Sequence, residues 1–399
     1  MRILHVSSEY PPQQVFGLGR YVSDLSRKLV QQGHDVHVLT NSIGGQDQDV
    51  REEGVAIHRV DYPPPPKPPS KGGPIMAYNL HLLQRSYVLG KEALGNPEVI
   101  VSHDWLTSLA AGRLARRWNL PHVWTVHDTV WGKRGGNIED PEDVLAFQLE
   151  GWAARSADLI LVNSTAIGRE VGAHYAGDRR KMELLHPGLD PERFATLPSP
   201  ARREAFRSLF SEPEDLLITY GGRLDLEKGL DTLINAFSIL KTRIPKARLA
   251  IAGSGRLKPV IEDHIRKLGL EDSVELPGYL EGEVLLYFYH ASDIHVCPSH
   301  YEPFGLVAAE AMAMGTPTVV SATGGLVDIV TTNEVGRIFP PRDPGQLAEV
   351  LLALGHDPDL RKRLGEKGRD HVLGSFSWSS LATRAITLYS KVLRGGRAA

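Results

Sequence analysis

The chain has 399 residues, 42% of them hydrophobic and 23% charged, with a formal net charge of −3 at pH 7. That length exceeds the reach of one core, about 250–300 residues, so two domains are expected. The near-neutral balance argues against nucleic acid as the main partner, which calls for a strongly basic face.

Cys297 has no second cysteine to pair with, and its apolar surroundings predict a buried structural thiol in a reducing compartment. The opening MRILHV turns polar too soon for a signal peptide, and no run approaches the ~18 apolar residues of a membrane span. A soluble, cytoplasmic protein is expected.

Taken in chain order, apolar runs at residues 2–7, 35–40, 99–103, 122–127 and 158–163 predict strands, and residues 19–32, 105–118, 141–156 and 164–175 carry apolar spacing of helical period. This alternation predicts an α/β, mostly parallel, doubly wound sheet. Proline-rich residues 62–74 predict an extended, partly polyproline loop rather than a domain boundary. Turn formers at residues 186–191 predict a hinge.

The pattern then restarts, with strands expected at residues 216–220, 248–252, 273–276, 293–297 and 316–321, helix-like residues 308–314, and a last amphipathic segment at 378–393. The expected domains are residues 1–190 and 191–375, with a C-terminal helix, 376–394, packing back on the first.

Open parallel sheets bind ligands beyond the C-terminal ends of their strands. After the first strand, Gly17 and Gly19 precede a helix and suit backbone approach to a phosphate, although Val22 takes the third glycine's place in GxGxxG and a plain tight turn reads as well. His103, His127 and His186 follow strands. A neutral imidazole can hold a sugar hydroxyl, with Asp104 or Asp128 orienting a ring or accepting a hydroxyl, while His186 reads as structural. No HExxH or paired CxxC spacing supports a metal site. The arginines at 113, 116 and 117 read as a solvated helix face rather than a membrane contact.

In the second half, Arg223 offers a planar fork and Lys228 a mobile point charge, suited to a diphosphate leaving group. Surface pairing with Asp225 and Glu227 is the plainer alternative. Gly253, and later Gly278, Tyr279 and Leu280, follow strands with small or turn-forming residues, for close backbone passage or an ordinary turn. Glu302 falls in a loop before Pro-Phe-Gly, and Glu310 follows eight positions later on the next helix.

The motifs SSEYPPQQVFGLGRYV, SHDW, TVHD, GGRLDLEKG, AGSG, LPGYL and EPFGLVAAEAMAMGTPTVV, in this order over nearly the whole chain, resemble those of retaining glycosyltransferases of family four. The resemblance implies a GT-B fold, two Rossmann-like doubly wound domains facing across a cleft. It implies that Arg223 and Lys228 hold the diphosphate of the sugar nucleotide and that Glu310 binds its ribose. Glu302 and the backbone of Phe304, Gly305 and Leu306 would hold the transferred sugar. Gly17 and Gly19 would approach the phosphate from the other domain, His127 would contact the sugar near the reacting carbon, and residues 278–280 would form the base-binding strip, with Gly253 beside the nucleotide.

Glu9, His103 and Asp104 are assigned to the acceptor side. Phe16-Gly17 departs from the family's frequent Gly-Gly pair. The expected reaction is metal-independent transfer of a hexose, glucose by preference, from a UDP-, ADP- or GDP-sugar, without other cofactor, to a saccharide. The run at 131–138 resembles that of α-glucan-elongating members. Other classes stay open: transfer to a lipid or small metabolite, a sugar-nucleotide epimerase, a glycosidase using Glu302 and Glu310, or a non-catalytic nucleotide-sugar binder.

Overall fold

The computed structural model describes residues 1–12, 17–42, 45–61 and 73–395. Contacts divide the chain into two units, Met1–Gly188 with Trp378–Ala399, and Leu189–Ser377.

In the first unit, strands β1 (Arg2–Val6), β2 (Asp35–Asn41), β3 (Gln48–Glu52), β4 (Val55–Val60), β5 (Val99–His103), β6 (His122–Val126), β7 (Leu159–Val162) and β8 (Met182–Leu184) form one sheet. Its order is β3-β4-β2-β1-β5-β6-β7-β8, with β3 alone antiparallel to its neighbour. In the second unit, β9 (Leu216–Gly221), β10 (Ala247–Ala252), β11 (Val274–Gly278), β12 (Ile294–Cys297), β13 (Thr318–Ser321) and β14 (Arg337–Phe339) run parallel in the order β11-β10-β9-β12-β13-β14.

The inner strands β5, β6, β9 and β12 are buried along their whole length, as sheets covered by helices on both faces require. Helices begin where the sequence supplies a cap: Asp140 accepts from the Glu142 N–H before the proline-initiated helix Pro141–Ser156, and Ser164 accepts from Ile167 before Thr165–His174. In each sheet the strand order reverses, between β1 and β5 and between β9 and β12. These are the switch points beyond whose carboxyl ends a crevice opens in open α/β sheets.

Every strand expected from the sequence is present, and β3, β4, β8 and β14 are additional. β4 escaped notice because its polar residues are buried: His58 bonds His37 at 2.8 Å and Asp49 at 2.8 Å, and the Arg59 guanidinium donates to the Pro11 carbonyl. The proline-rich loop reading falls mainly on residues 62–72, outside the described residues. A helix over Gly73–Ala93, interrupted at Gly90, follows.

The last helix, Trp378–Gly395, packs in the first unit against the helix Gly17–Gln31. Trp378, Leu381, Ala382, Ala385, Leu388 and Tyr389 join the hydrophobic cluster around β1 and β2. Gln32 donates to the Ser379 carbonyl at 2.9 Å and to Thr383 Oγ1 at 3.1 Å.

Candidate functional site

At the switch point of the second unit, the chain leaves β9 through Gly221 and Gly222. Tyr220 donates its hydroxyl hydrogen to the Arg223 carbonyl at 2.7 Å, which fixes the turn. Arg223 is 46% exposed, and its guanidinium bonds Asp225 at 2.6 Å and Glu227 at 2.7 Å. Lys228 behaves differently. Its ammonium lies 2.9 Å from Glu302 in the loop after β12, with both side chains largely covered. Ser299 donates to the same Glu302 oxygen at 3.0 Å.

Backbone contacts lock the two loops together. The His300 and Tyr301 N–H groups donate to the Glu227 carbonyl at 2.7 and 3.2 Å, and Gly325 N–H donates to the Glu302 carbonyl at 2.9 Å. Gly324 has a φ of +55°, and a Cβ there would stand 1.7 Å from the Glu302 carbonyl oxygen. The glycine pair at 324–325 is therefore what lets the Glu302 loop close.

Gly305 caps the helix Leu306–Ala313, and Phe304 is buried with its ring edge-on to Phe376, centroids 5.5 Å apart. Glu310, on the second turn, is buried, with an oxygen 3.7 Å from Arg193. Gly253 follows β10 and donates its N–H to the Gly278 carbonyl at 2.7 Å, so these two glycines share one turn region. Beside them Tyr279 is exposed and Leu280 half-buried. Burial, then the Glu302 carboxylate, pushes the Cys297 thiol up, so it stays protonated.

In the first unit, the pairing of His5 with Val101 and of His103 with Thr125 places positions 5, 103 and 127 on one sheet face, because each step along a strand is two residues. Their rings form a chain: His5 Nδ1 is 2.9 Å from His103 Nε2, and His103 Nδ1 is 3.1 Å from His127 Nε2. Burial lowers all three, His5 to about 3 and His127 to about 4, so the imidazoles are neutral at neutral pH. With both ring nitrogens engaged and no exposure, His103 has no ring edge to offer an acceptor directly.

Asp104 lies in the left-handed region at φ +55° and accepts from the His127 N–H at 2.7 Å. Burial, then the Asp128 carboxylate, holds its carboxyl well above the usual range. Glu9 accepts from the Gly19 N–H at 3.3 Å, so a carboxylate of the chain already faces the helix start at Gly17. Phe16 lies outside the described residues.

Among the described residues no group of three or more His, Cys, Asp or Glu side chains gathers as a metal site, and no helix is long and apolar enough to cross a membrane.

Residues 16–188 match the family described as glycosyl transferase 4-like domain, and residues 201–371 match glycosyl transferases group 1. Glycogen synthase of Mycobacterium tuberculosis is 34% identical across 100% of this chain and 96% of that protein. The chain is a group 1 glycosyltransferase. Mannosylfructose-phosphate synthase of Agrobacterium fabrum is 30% identical over 92% of this glycosyltransferase and 85% of its own length. The solved sucrose-phosphate synthase of Thermosynechococcus elongatus shares the GT-B fold with a TM-score of 0.84, at 24% identity over 99% of this chain and 100% of that one.

Sequence reading of this glycosyltransferase passed over His5, Ser299, Arg193, Gly324 and Glu150. Glu150 is fully buried and accepts from the Val130 N–H at 3.0 Å, bracing the turn after TVHD, and burial pushes its carboxyl up to about 8. His5 was the most findable, a histidine set among the apolar Ile3, Leu4 and Val6 of the first strand.

Proposed function

We propose that this glycosyltransferase moves a glucosyl group from a nucleoside-diphosphate sugar to an α-glucan with retained configuration. The observation that carries the reading is the Lys228–Glu302 contact at the β9/β12 switch point. It joins a cation suited to a diphosphate and a carboxylate suited to sugar hydroxyls. An ammonium has three N–H groups, and Glu302 occupies one. A diphosphate arriving beside Lys228 and the exposed Arg223 would compete with Asp225 and Glu227 for the guanidinium.

Glu310 is assigned to the ribose diol, Gly253 and residues 278–280 to the base, and Glu302 with the backbone of Phe304, Gly305 and Leu306 to the transferred sugar. Gly17 and Gly19 are assigned to the phosphate, Glu9 and Asp104 to the acceptor side, and His127 to the sugar. In the reaction the bond from the anomeric carbon to the diphosphate oxygen breaks and the bond to the acceptor oxygen forms on the same face. The acceptor's proton passes to the departing phosphate oxygen, so no protein nucleophile is needed, and Arg223 and Lys228 take up the developing charge without a metal ion.

The similarity to glycogen synthase supports an α-glucan acceptor. A second reading, a phosphorylated small polyol or sugar, is favoured by the likeness to mannosylfructose-phosphate synthase and to D-inositol 3-phosphate glycosyltransferase of Streptomyces coelicolor, 29% identical over 96% of this chain.

Incubation with UDP-, ADP- and GDP-glucose and either glycogen or a phosphorylated polyol, following nucleotide release and the anomeric proton of the product, separates the two. Elongated glucan with an α linkage is expected. Transfer to the phosphorylated acceptor alone selects the second reading, and an altered sugar nucleotide without acceptor would replace both with an epimerase.

A further inference from the structure

We infer that His5 and His103 form a buried positioning relay that holds His127 with its proton on Nδ1, so that His127 meets substrate as a hydrogen-bond donor and not as a base.

The two contacts, His5 Nδ1 to His103 Nε2 and His103 Nδ1 to His127 Nε2, chain three rings whose neighbours stack with centroids 5.2 and 5.4 Å apart. A neutral imidazole has one N–H and one lone pair, so the protons must all point the same way along the chain. Two directions are available. If they point toward His5, its Nε2 carries a hydrogen. That nitrogen is buried with no hydrogen-bond partner, and a buried orphan N–H is the rarer and costlier outcome. If they point toward His127, the nitrogen left at the closed end is a bare lone pair. The second direction is favoured.

It runs His5 Nδ1–H to His103 Nε2, then His103 Nδ1–H to His127 Nε2, and leaves the His127 hydrogen on Nδ1. That nitrogen has no hydrogen-bond partner among the described residues.

The surroundings hold the ring in place. Tyr21 meets His127 edge-on at 4.6 Å and touches Trp378 at 5.2 Å, while Asp104 fixes the His127 N–H and Asn163 donates to its carbonyl at 2.6 Å. A group aimed from a pinned backbone, with its tautomer set from behind, is preorganised for one task. An N–H at Nδ1 can bond a sugar oxygen but cannot take a proton. That suits transfer in which the departing phosphate receives the acceptor's hydrogen, and this assignment of the task rests on the reading that His127 contacts the sugar.

The test is the nitrogen-15 spectrum of the full-length protein labelled on histidine, in which protonated and bare ring nitrogens separate widely. The resonances of His5, His103 and His127 are assigned by single substitution. His127 is expected to show a protonated Nδ1 and a bare Nε2, and His103→Leu is expected to let the His127 proton move to Nε2.

Asparagine places an amide N–H near the site of Nδ1, so His103→Asn is expected to restore the wild-type pattern. In transfer assays His103→Leu is expected to lower kcat by about 10²-fold with little change in KM, and His103→Asn to recover most of it. A wild-type His127 carrying its proton on Nε2 overturns the relay whatever the activity. The inferred tautomer, with transfer untouched by His127→Ala, upholds the relay and sinks the reading that His127 contacts the sugar.

Discussion

Lys228 and Glu302 are held 2.9 Å apart with little exposure, a setting in which removing one charge leaves the other short of a partner. Lys228→Ala is expected to cut transfer by about 10²-fold or more, and Arg223→Ala similarly, with unchanged circular dichroism, because under the proposed assignment each removes a group that stabilises the leaving diphosphate. Near-normal turnover in both would end the diphosphate assignment. Glu310→Ala is expected to weaken nucleotide-diphosphate binding in calorimetry, and unchanged affinity would refute the ribose role.

Buried titratable groups give opposite pH signatures. Glu150 is raised from 4.5 to about 8, so its contribution to stability is complete below pH 4.5 and is lost as pH rises through 8. The melting temperature of the wild type is expected to fall against that of Glu150→Gln between pH 5 and pH 9, and parallel curves would show a normal carboxyl. His5 and His127 are lowered from 6.5 to about 3 and about 4, so their contribution is present above pH 6.5 and is lost as pH falls through those lower values. Acid melts of His5→Asn should show a smaller loss over that range than the wild type.

At the scale of the element, the loop after β12 depends on a close approach of backbone to backbone. Gly324→Ala must accept both a positive φ and a Cβ 1.7 Å from a carbonyl oxygen. Gly269→Ala meets the same backbone penalty, at φ +64°, with nothing within 4 Å. The second is expected to cost about 1–2 kcal/mol in urea unfolding, the ordinary price of a left-handed residue. The first should cost clearly more and should also weaken transfer, because it moves Glu302. Equal costs would show that the loop yields freely.

At the scale of the whole molecule, the chain enters the second unit at Leu189 and leaves it at Ser377, and the Leu189 N–H donates to the Phe376 carbonyl at 2.6 Å. The ends of that unit are thus tied together, whereas the first unit is closed by a helix from the far end of the sequence. Residues 189–377 produced alone are expected to melt cooperatively. Residues 1–188 alone are expected to lack a cooperative transition, because Trp378, Leu381 and Tyr389 would be missing from their core. Trp378→Ala in the full chain should cost about 3–5 kcal/mol. A cooperative melt of residues 1–188 would show that the last helix is dispensable.

The strands on both sides of each switch point were legible because burial on two faces makes them short, mostly apolar runs, and the loops carrying Arg223, Lys228 and Glu302 were legible because glycines and charged residues follow such runs. β4 and the helix Gly73–Ala93 were not, since His58 and Arg59 break the apolar pattern of the first and Gly90 interrupts the second. The sequence by itself determined the alternation of strands and helices, and with it the strand ends at which polar residues gather, because periodicity is local.

Which carboxylate meets Lys228, and which ring meets His5, was decided only in three dimensions. Arg223 pairs with Asp225 and Glu227, near neighbours that the sequence already offered, but Lys228 reaches a residue 74 positions away and His5 bonds a partner 98 positions on. Such partners are chosen by parallel register and crossover, which join strands distant in the chain, and no local pattern records that choice.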